Sequence, residues 1–338
     1  MKTREYWLDY LRAFACILVT VGHLLRSFLD AQLLPEGLAV PMLIDLIYCF
    51  HVYIFFFCSG YLFQKSGRNG EKRSYGYQLE RCIDLMIVYV IFSGVTYVIK
   101  AVFSSDVNSA VEYSFLETLI GQPISQMWYL YAISTIYLFA YRMQSERSVY
   151  AVSVLALLMK ILIGIPAVAA ALPLPIHYLC QDMIWFAMGQ LFAHKQVELG
   201  RNLSVLLAFV FLVLFALRSY FDVSSAVLNA VLTLLGIMAS AGIVRWLTKN
   251  KGATSGFWHY VSKYMLQIYL LHTIFAAGIR IVLLKVGVTG VFPHLILGLL
   301  FSFAMPVLCA VIAERVKLLN VVFFPVKTIK SLYAEKRT

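Results

Sequence analysis

The chain has 338 residues, of which 61% are hydrophobic and only 13% are charged, and its formal net charge is +11. Soluble domains usually contain about a quarter charged residues, so this composition excludes a soluble fold. It predicts an all-α, polytopic membrane protein whose first partner is the lipid bilayer. In such a protein an excess of Lys and Arg is typical of cytoplasmic loops, so the positive charge does not indicate nucleic-acid binding.

Apolar stretches of about 20 residues, long enough to cross a bilayer, recur along the chain. They predict about ten membrane-spanning helices and a membrane domain over residues 1–313. Residues 314–338 interleave basic and apolar side chains, which predicts a basic cytoplasmic tail on the membrane surface. The predicted spans are 7–28, 41–63, 82–103, 127–142, 148–166, 178–194, 203–221, 225–247, 264–285 and 290–313.

The distribution of basic residues predicts the orientation. The loop 64–81 carries five Lys or Arg residues, whereas the next loop, 104–126, carries none. By the positive-inside rule both termini are cytoplasmic, which an even span count requires. All but six of the 28 basic residues then lie on the cytoplasmic side. The six exceptions are Arg26, Lys100, Lys160, Arg218, Arg280 and Lys285.

Two ionisable residues lie on one face of the first predicted span. Arg12 and His23 are eleven residues apart, so their side chains fall within roughly 20° of each other and roughly 16 Å apart along the helix axis. Arg26 continues this face. Ionisable residues inside a span are costly and mark functional sites. The predicted orientation places Arg12 toward the cytoplasm and His23 toward the outside, which indicates a polar path.

A third ionisable residue lies in the second predicted span. His51 is about ten residues in from the outer end of 41–63, at a depth close to that of His23. We therefore expect the two histidines to face one cavity. The pair Ser59-Gly60 lies deeper and favours close helix packing over a nucleophilic role.

Four motifs, in the same order along the chain, resemble those of the acyltransferase family 3 membrane proteins. In the second motif the family often has Pro at the place of Tyr53. The motifs are Arg12 with ten intervening residues and His23, Phe50-His51 followed by Phe56-Phe57-Cys58-Ser59-Gly60-Tyr61-Leu62, Trp128-Tyr129-Leu130-Tyr131-Ala132, and Ser262-Lys263-Tyr264 with Ile268-Tyr269-Leu270-Leu271-His272.

One place departs from the family pattern. The family usually has Arg-(Ile/Leu)-x-Pro at the start of the third span, whereas here the run is Arg81-Cys82-Ile83-Asp84. We expect a less bent helix start and an ion pair between Asp84 and Arg81. Many relatives also carry a C-terminal extracytoplasmic SGNH-type domain, and this chain resembles the stand-alone members.

The resemblance implies a bacterial cytoplasmic (inner) membrane O-acyltransferase. Such an enzyme moves an acetyl group from cytoplasmic acetyl-CoA to a hydroxyl of a cell-surface or exported glycan, and glycan-assembly proteins are candidate partners. His23, Arg12 and His51 are the implied catalytic residues. His23 acts either as the general base or as a carrier that is itself acylated. The acceptor, and an acyl group larger than acetyl, stay open.

The same resemblance, read with the residue chemistry, suggests binding residues. Arg12, Arg73 and Arg81 lie on the predicted cytoplasmic side and are candidates to bind the phosphates of coenzyme A by charge-assisted hydrogen bonds. Acetyl-CoA is then a co-substrate, and no metal is predicted. Candidates for acceptor or oxyanion contacts are Arg26, Tyr53, Trp128, Tyr129 and His272.

Other functions are compatible with intramembrane charges. A transporter or flippase of a glycan or glycolipid is the main alternative, although the prolines, apart from Pro306, lie in loops or near helix ends. A purely structural subunit does not explain the polar face. A metal site formed by His23, His51 and His272 is disfavoured because their spacings match no ligand motif.

Overall fold

A computed structural model of the protein describes residues 5–34, 37, 39–67, 75–105, 108, 111–140, 143, 145–223 and 225–335. These residues form helices joined by turns and contain no β-strand, which confirms the predicted all-α fold. The helices are α1 (Tyr6–Asp30), α2 (Ala39–Tyr48), α3 (Tyr53–Gly67), α4 (Tyr75–Val102), α5 (Phe115–Ile120), α6 (Trp128–Phe139), α7 (Glu146–Ile163), α8 (Pro166–Ala171), α9 (Leu174–Lys195), α10 (Arg201–Tyr220), α11 (Ala226–Leu247), α12 (Gly256–Lys263), α13 (Met265–Lys285), α14 (Val291–Arg315), α15 (Lys317–Asn320) and α16 (Pro325–Glu335), with a 3₁₀ turn at Ser125–Met127 before α6.

Seven helical segments in the described part of the chain are long and apolar enough to cross a membrane. This confirms a polytopic membrane protein. The count of about ten spans and the cytoplasmic location of both termini stay predictions. The seven segments are Tyr6–Asp30, Ala39–Ser66, Gln78–Val102, Arg201–Tyr220, Ala226–Leu247, Met265–Lys285 and Val291–Arg315.

The three other predicted spans also form helices, but these are short or polar. The 12 residues of α6 extend about 18 Å, less than the hydrocarbon thickness of about 30 Å. Three charged residues, Glu146, Arg147 and Lys160, occur in α7, and α9 carries the buried Asp182. Charged side chains are costly against lipid, and α9 contacts both α3 and α7, which shield it.

The second predicted span, 41–63, falls within the segment Ala39–Ser66 that is long and apolar enough to cross a membrane, but it consists of two helices rather than one. The chain leaves the helical conformation over residues 49–52, between α2 and α3. Tyr53, where relatives often have Pro, is the first residue of α3. Pro is well tolerated at this first helical position because the N–H there has no intrahelical partner.

Side chains satisfy the backbone groups near this break. His51 Nδ1 lies 2.8 Å from the carbonyl oxygen of Ile47. The Thr233 hydroxyl, on α11, donates to the carbonyl oxygen of Cys49 at 2.7 Å. Irregular backbone at membrane depth requires such partners, and it occurs where it lines a cavity. The carbonyl groups of Ile47 and Cys49, just before His51, are therefore both satisfied by side chains.

The third predicted span begins earlier than expected, because α4 starts at Tyr75 rather than at residue 82. Asp84 consequently lies inside the helix. Its Oδ1 accepts a hydrogen bond from the backbone N–H of Val326 at 2.8 Å. Arg81 stacks over the Tyr137 ring, with its guanidinium carbon 4.1 Å from the centroid. These contacts, rather than an ion pair between Arg81 and Asp84, are the ones that the structure shows.

The described part of the tail, residues 314–335, folds back on α4. The Phe323 ring stacks on Phe92 with centroids 5.5 Å apart, and Lys330 Nζ lies 2.5 Å from a carboxylate oxygen of Glu80. Together with the Asp84 contact, these interactions hold α16 against α4. The predicted association of the tail with the membrane surface stays a prediction.

Two glycines allow the backbones of α3 and α9 to pack against each other with no side chain between them. A Cβ atom added at Gly60 would lie 1.9 Å from the carbonyl oxygen of Phe186, and one added at Gly189 would lie 2.0 Å from that of Phe57. Small residues permit such close approach of helices in membranes. Gly60 is therefore a packing residue, and it fixes α3 beside the cavities described below.

Candidate active site

The first of three neighbouring spaces is a cavity of about 320 Å³ near the N-terminal end of α1. Arg12 and Arg81 contribute guanidinium groups to its wall, from α1 and α4. Apolar side chains such as Phe55 and Leu85 form much of the remainder. This space is termed the Arg12 cavity. Its other lining residues include Ser59, Tyr129, Ser262, Lys263, Tyr269 and Phe324.

The Arg12 cavity brings together two of the three residues predicted to bind coenzyme A, Arg12 and Arg81; Arg73 lies outside the described residues. Lys263, which the prediction omitted, adds a third cation. Its Nζ donates to the Tyr264 hydroxyl at 2.6 Å, and this hydrogen bond raises the pKa of Lys263. An ion pair with Glu314 at 3.3 Å offsets part of its charge.

A second, smaller space of about 140 Å³ lies where α1, α6 and α13 meet the break between α2 and α3. His23 and His51 both line it, so the structure places the two histidines on one cavity. Val19, Val52 and the aromatic side chain of Trp128 close its other sides. This space is termed the histidine chamber.

Four side chains form a contiguous cluster around the chamber. His23 Nδ1 lies 3.3 Å from the Tyr48 hydroxyl, and the His23 ring lies 5.3 Å from the ring of His272 between centroids. Tyr48 in turn contacts His51, with ring centroids 4.8 Å apart. His23 is thus flanked by a hydroxyl and an imidazole. In the described part of the chain no three His, Cys, Asp or Glu side chains converge as a metal-ligand group.

Backbone carbonyls fix the tautomers of the two outer histidines. His272 Nδ1 lies 2.9 Å from the carbonyl oxygens of both Ile268 and Tyr269. A carbonyl oxygen only accepts, so Nδ1 carries the hydrogen and Nε2 carries a lone pair. His51 Nδ1 has the same relation to a carbonyl oxygen. The Nε2 of His272 is buried and has no hydrogen-bond partner among the described residues.

The three aromatic candidates divide between two cavities. Tyr53 and Trp128 line the histidine chamber, whereas Tyr129 lines the Arg12 cavity and hydrogen-bonds to Ser59. Trp128 and Tyr129 are consecutive on α6, so their side chains point about 100° apart. The short helix α6 therefore contributes to both spaces from one turn.

Tyr269 lines both the Arg12 cavity and the histidine chamber, so the two spaces adjoin at this side chain. Its hydroxyl donates to the backbone carbonyl of Gln126, and its ring contacts Tyr129 with centroids 5.7 Å apart. The Gln126 side-chain amide donates in return to Thr273 Oγ1 at 3.0 Å and to the carbonyl oxygen of Leu270 at 3.3 Å. These reciprocal bonds join the 3₁₀ turn to α13 and form a partition.

The third space, of about 520 Å³, lies at the opposite end of α1 and is termed the Arg280 cavity. His23 lines it as well as the chamber, so this one imidazole faces two spaces. Arg26, predicted as an acceptor contact, also lines it. The lining adds two basic residues that the site prediction omitted, Lys100 on α4 and Arg280 on α13.

A separate polar cluster lies behind Tyr53 and was also missed by the sequence reasoning. Tyr53 hydrogen-bonds to the side chain of Gln181, and Lys160 Nζ donates to the Gln181 carbonyl oxygen at 3.1 Å. Asp182 is fully buried, and neither of its carboxylate oxygens has a hydrogen-bond partner among the described residues. The sequence did carry a signal for this cluster, because Asp182 and Lys160 are charged residues within apolar segments.

Comparison with known proteins identifies the family of this helical membrane protein. The profile of acyltransferase family 3, described as an acyltransferase domain, matches residues 5–314. The chain belongs to this family and is a membrane acyltransferase. Searches of curated proteins and of solved structures each found no significant match.

Proposed function

We propose that the protein transfers an acetyl group from cytoplasmic acetyl-CoA to a hydroxyl of a cell-surface or exported glycan, in the bacterial cytoplasmic membrane. The observation that carries this proposal is the position of His23. It lines both the histidine chamber, which adjoins the Arg12 cavity at Tyr269, and the Arg280 cavity at the other end of α1. A base in this position has access to a donor from one end and an acceptor from the other.

The Arg12 cavity has the chemistry that the donor requires. When bound, acetyl-CoA supplies an acyl thioester on a long uncharged arm that ends in phosphates. Arg12, Arg81 and Lys263 offer charge-assisted hydrogen bonds to phosphate oxygens. The apolar wall at Phe55 and Leu85 suits an uncharged arm. Under the predicted orientation this cavity faces the cytoplasm, where acetyl-CoA is made.

His23 is the proposed general base. In the tautomer that donates its Nδ1–H to the Tyr48 hydroxyl oxygen, 3.3 Å away, the lone pair on Nε2 is left for the acceptor hydroxyl. Removing the hydroxyl proton as the oxygen attacks the thioester carbonyl contributes about 10²–10⁴-fold. The proton then passes from His23 to the departing thiolate, so no net proton is released. Donors around the chamber, the Trp128 indole and the Tyr53 hydroxyl, are candidates to stabilise the oxyanion.

The two outer histidines support this role by position. His272 and His51 present Nε2 lone pairs toward the cluster because their Nδ1 atoms are bonded to carbonyls. Each therefore offers an acceptor for a hydroxyl group of a bound substrate. Arg12 acts at a distance from His23 as an electrostatic anchor for the donor rather than as a proton carrier.

A covalent route uses the same atom. His23 Nε2 attacks the thioester, the thiolate leaves, and the acetyl group then passes to the acceptor hydroxyl. Purified protein incubated with labelled acetyl-CoA and no acceptor tests this route. Label bound to wild-type protein and absent from His23→Asn supports an acetyl-histidine, whereas unlabelled wild-type protein supports direct transfer.

The proposal as a whole is tested in membranes of cells that express the protein. We expect labelled acetyl-CoA to label the glycan fraction with wild type and with the control His259→Asn, whose side chain is exposed on α12, but not with His23→Asn. Equal labelling by His23→Asn contradicts the role of His23. Glycan export without acetyl-CoA turnover would instead favour the transporter alternative.

A further inference from the structure

The Arg280 cavity contains an unexpected concentration of positive charge. The sequence places only six of the 28 basic residues away from the predicted cytoplasmic side. Three of these six, Arg26, Lys100 and Arg280, line this one cavity together with His23. They come from three different helices, α1, α4 and α13. Membrane proteins disfavour basic residues at this end, so their convergence indicates a ligand.

Arg280 is the most buried of the three, with only 3% of its surface exposed. One terminal nitrogen donates to the carbonyl oxygen of Ser27 at 2.9 Å and to the Asn108 side chain. Its Nε is buried and has no hydrogen-bond partner among the described residues. Both of these partners are neutral. A desolvated guanidinium that is held in place by neutral groups retains its full charge and part of its donor capacity.

Among the described residues that line this cavity, basic side chains outnumber acidic ones. Arg26 Nε forms an ion pair with Asp30 at 3.0 Å, and both side chains are largely exposed. Asp30 is the acidic residue among the described lining residues, against Arg26, Lys100 and Arg280. The described lining therefore carries a positive excess. Burying the Arg280 guanidinium beside a low-dielectric wall costs free energy, and an anion in the cavity would offset that cost.

We propose that the Arg280 cavity binds an oxyanion carried by the acceptor, either a carboxylate on a sugar or a phosphate. The identification of the ligand as the acceptor rests on the proposed function. Arg280 and Lys100 bind the oxyanion by charge-assisted hydrogen bonds. His23 lines the same cavity, so anchoring the anion places a hydroxyl of the same molecule at the base. The site thereby selects acidic or phosphate-linked acceptors over neutral ones.

The test measures binding without acetyl-CoA, so it does not depend on catalysis. Purified protein in nanodiscs is titrated with two matched pairs of probes. The first pair is an oligogalacturonate and its carboxyl-reduced form. The second is a polyprenyl-phosphate sugar and the same sugar on a neutral polyprenyl ether. We expect one anionic member to bind at least tenfold more tightly than its neutral counterpart, and increasing ionic strength to weaken that binding.

Variants locate the binding. Lys100→Gln is expected to weaken binding of the anionic probe about tenfold, and Arg280→Gln at least as much. Lys285→Gln is the control, because it removes a positive charge from the exposed end of α13, outside the cavity lining. It should leave binding unchanged. Acetyl-CoA binding to each variant verifies that the protein is folded, since the Arg12 cavity is not altered.

Each result decides the proposal. Preference for the carboxylate probe identifies an acidic glycan, and preference for the phosphate probe identifies a phosphate-linked acceptor. Equal binding of the anionic and neutral probes, binding of no probe, or an equal loss in Lys285→Gln and Lys100→Gln overturns it. If the proposed acyl transfer fails but anion binding persists at Lys100, the failure lies in the reaction and not in the site.

Discussion

The Arg12 cavity and the Arg280 cavity are both basic, but their charges have different explanations. Under the predicted orientation the Arg12 cavity lies at the cytoplasmic end, where most Lys and Arg residues are expected, so topology alone accounts for cations there. The Arg280 cavity lies at the end where they are scarce. A basic residue in the Arg12 cavity is therefore expected whether or not it binds a ligand, whereas a buried basic residue in the Arg280 cavity requires a functional reason.

The histidine chamber divides these two regions, and its loss should have the largest effect. His23→Asn removes the base and keeps a polar side chain of similar reach. We expect the rate of acetyl transfer to fall about 10²–10⁴-fold, while the KM for acetyl-CoA changes little. Steady-state kinetics with labelled acetyl-CoA measure both quantities. A rate that falls less than about tenfold is incompatible with His23 as the base.

Separate substitutions in the Arg12 cavity and the Arg280 cavity test whether each cavity serves its own substrate. Under the proposed function, Arg12→Gln removes a charge-assisted contact to the donor, so the KM for acetyl-CoA should rise about 10–100-fold, corresponding to ~1.5–3 kcal/mol. Lys100→Gln should instead raise the KM for the acceptor. Measuring both KM values in both variants is the test. If each variant raises both values equally, the two cavities do not serve separate substrates.

Helix α3 lines both the Arg12 cavity and the histidine chamber, and its contact with α9 holds it in place. Gly60→Ala places a methyl group against the carbonyl oxygen of Phe186, and overpacking of this kind costs about 1–3 kcal/mol. We expect a lower melting temperature in detergent and lower activity. Gly76→Ala is the matched control, because a Cβ there meets open space. A melting temperature for Gly60→Ala equal to that of the control contradicts the close contact.

The partition between donor and acceptor spaces is tested by Tyr269→Phe. This change keeps the ring but removes the hydroxyl that donates to the Gln126 carbonyl. We expect the partition to admit water more readily, so that hydrolysis of acetyl-CoA rises several-fold relative to transfer. The ratio of free acetate to acetylated glycan measures this effect. An unchanged ratio shows that the hydroxyl does not seal the chamber.

The smallest expected effect concerns Glu5, which attaches the start of α1 to α3. Its carboxylate accepts hydrogen bonds from Tyr61 and from Trp7, the latter at 2.8 Å, and pairs with Lys65 at 2.9 Å. Burial raises the pKa of Glu5, but these hydrogen bonds and the Lys65 charge outweigh it and leave the pKa below its ordinary value.

A lowered pKa in the folded state means that the Glu5 carboxylate stabilises the fold at neutral pH. This contribution is complete above the unfolded-state pKa of about 4.3 and is lost as pH falls through the folded-state value. Glu5→Gln should therefore lower stability by about 1 kcal/mol at pH 7. The difference should disappear in strongly acidic buffer. Melting curves against pH test this, and a difference that grows on acidification contradicts it.

The helices were largely predictable from the sequence because burial in lipid demands long apolar segments. Each predicted span coincides with a helix or, for 41–63, with two helices. The break at 49–52 was not predictable, because its backbone is held by Thr233 from a distant helix. The short length of α6 was visible in part, because 127–142 is already the shortest of the predicted spans.

The candidate site was partly predictable for a related reason. Arg12 and His23 are visible as charges on one helix face, so periodicity alone relates them. Lys100 and Arg280 were visible only as exceptions to the charge rule, and nothing local relates residues of α4 and α13. Tyr269 was visible as part of the late motif, but its pairing with Gln126 was not, because nothing local relates α13 to the turn before α6.

The central claim is that one histidine joins a donor space and an acceptor space that open at opposite ends of the protein. Inside-out and right-side-out membrane vesicles test it directly when labelled acetyl-CoA, which does not cross the bilayer, is added outside. We predict glycan labelling in inside-out vesicles alone, with the labelled glycan inside the lumen and protected from external periodate. Equal labelling in both vesicle types, or labelled glycan on the outer face of inside-out vesicles, would contradict the account.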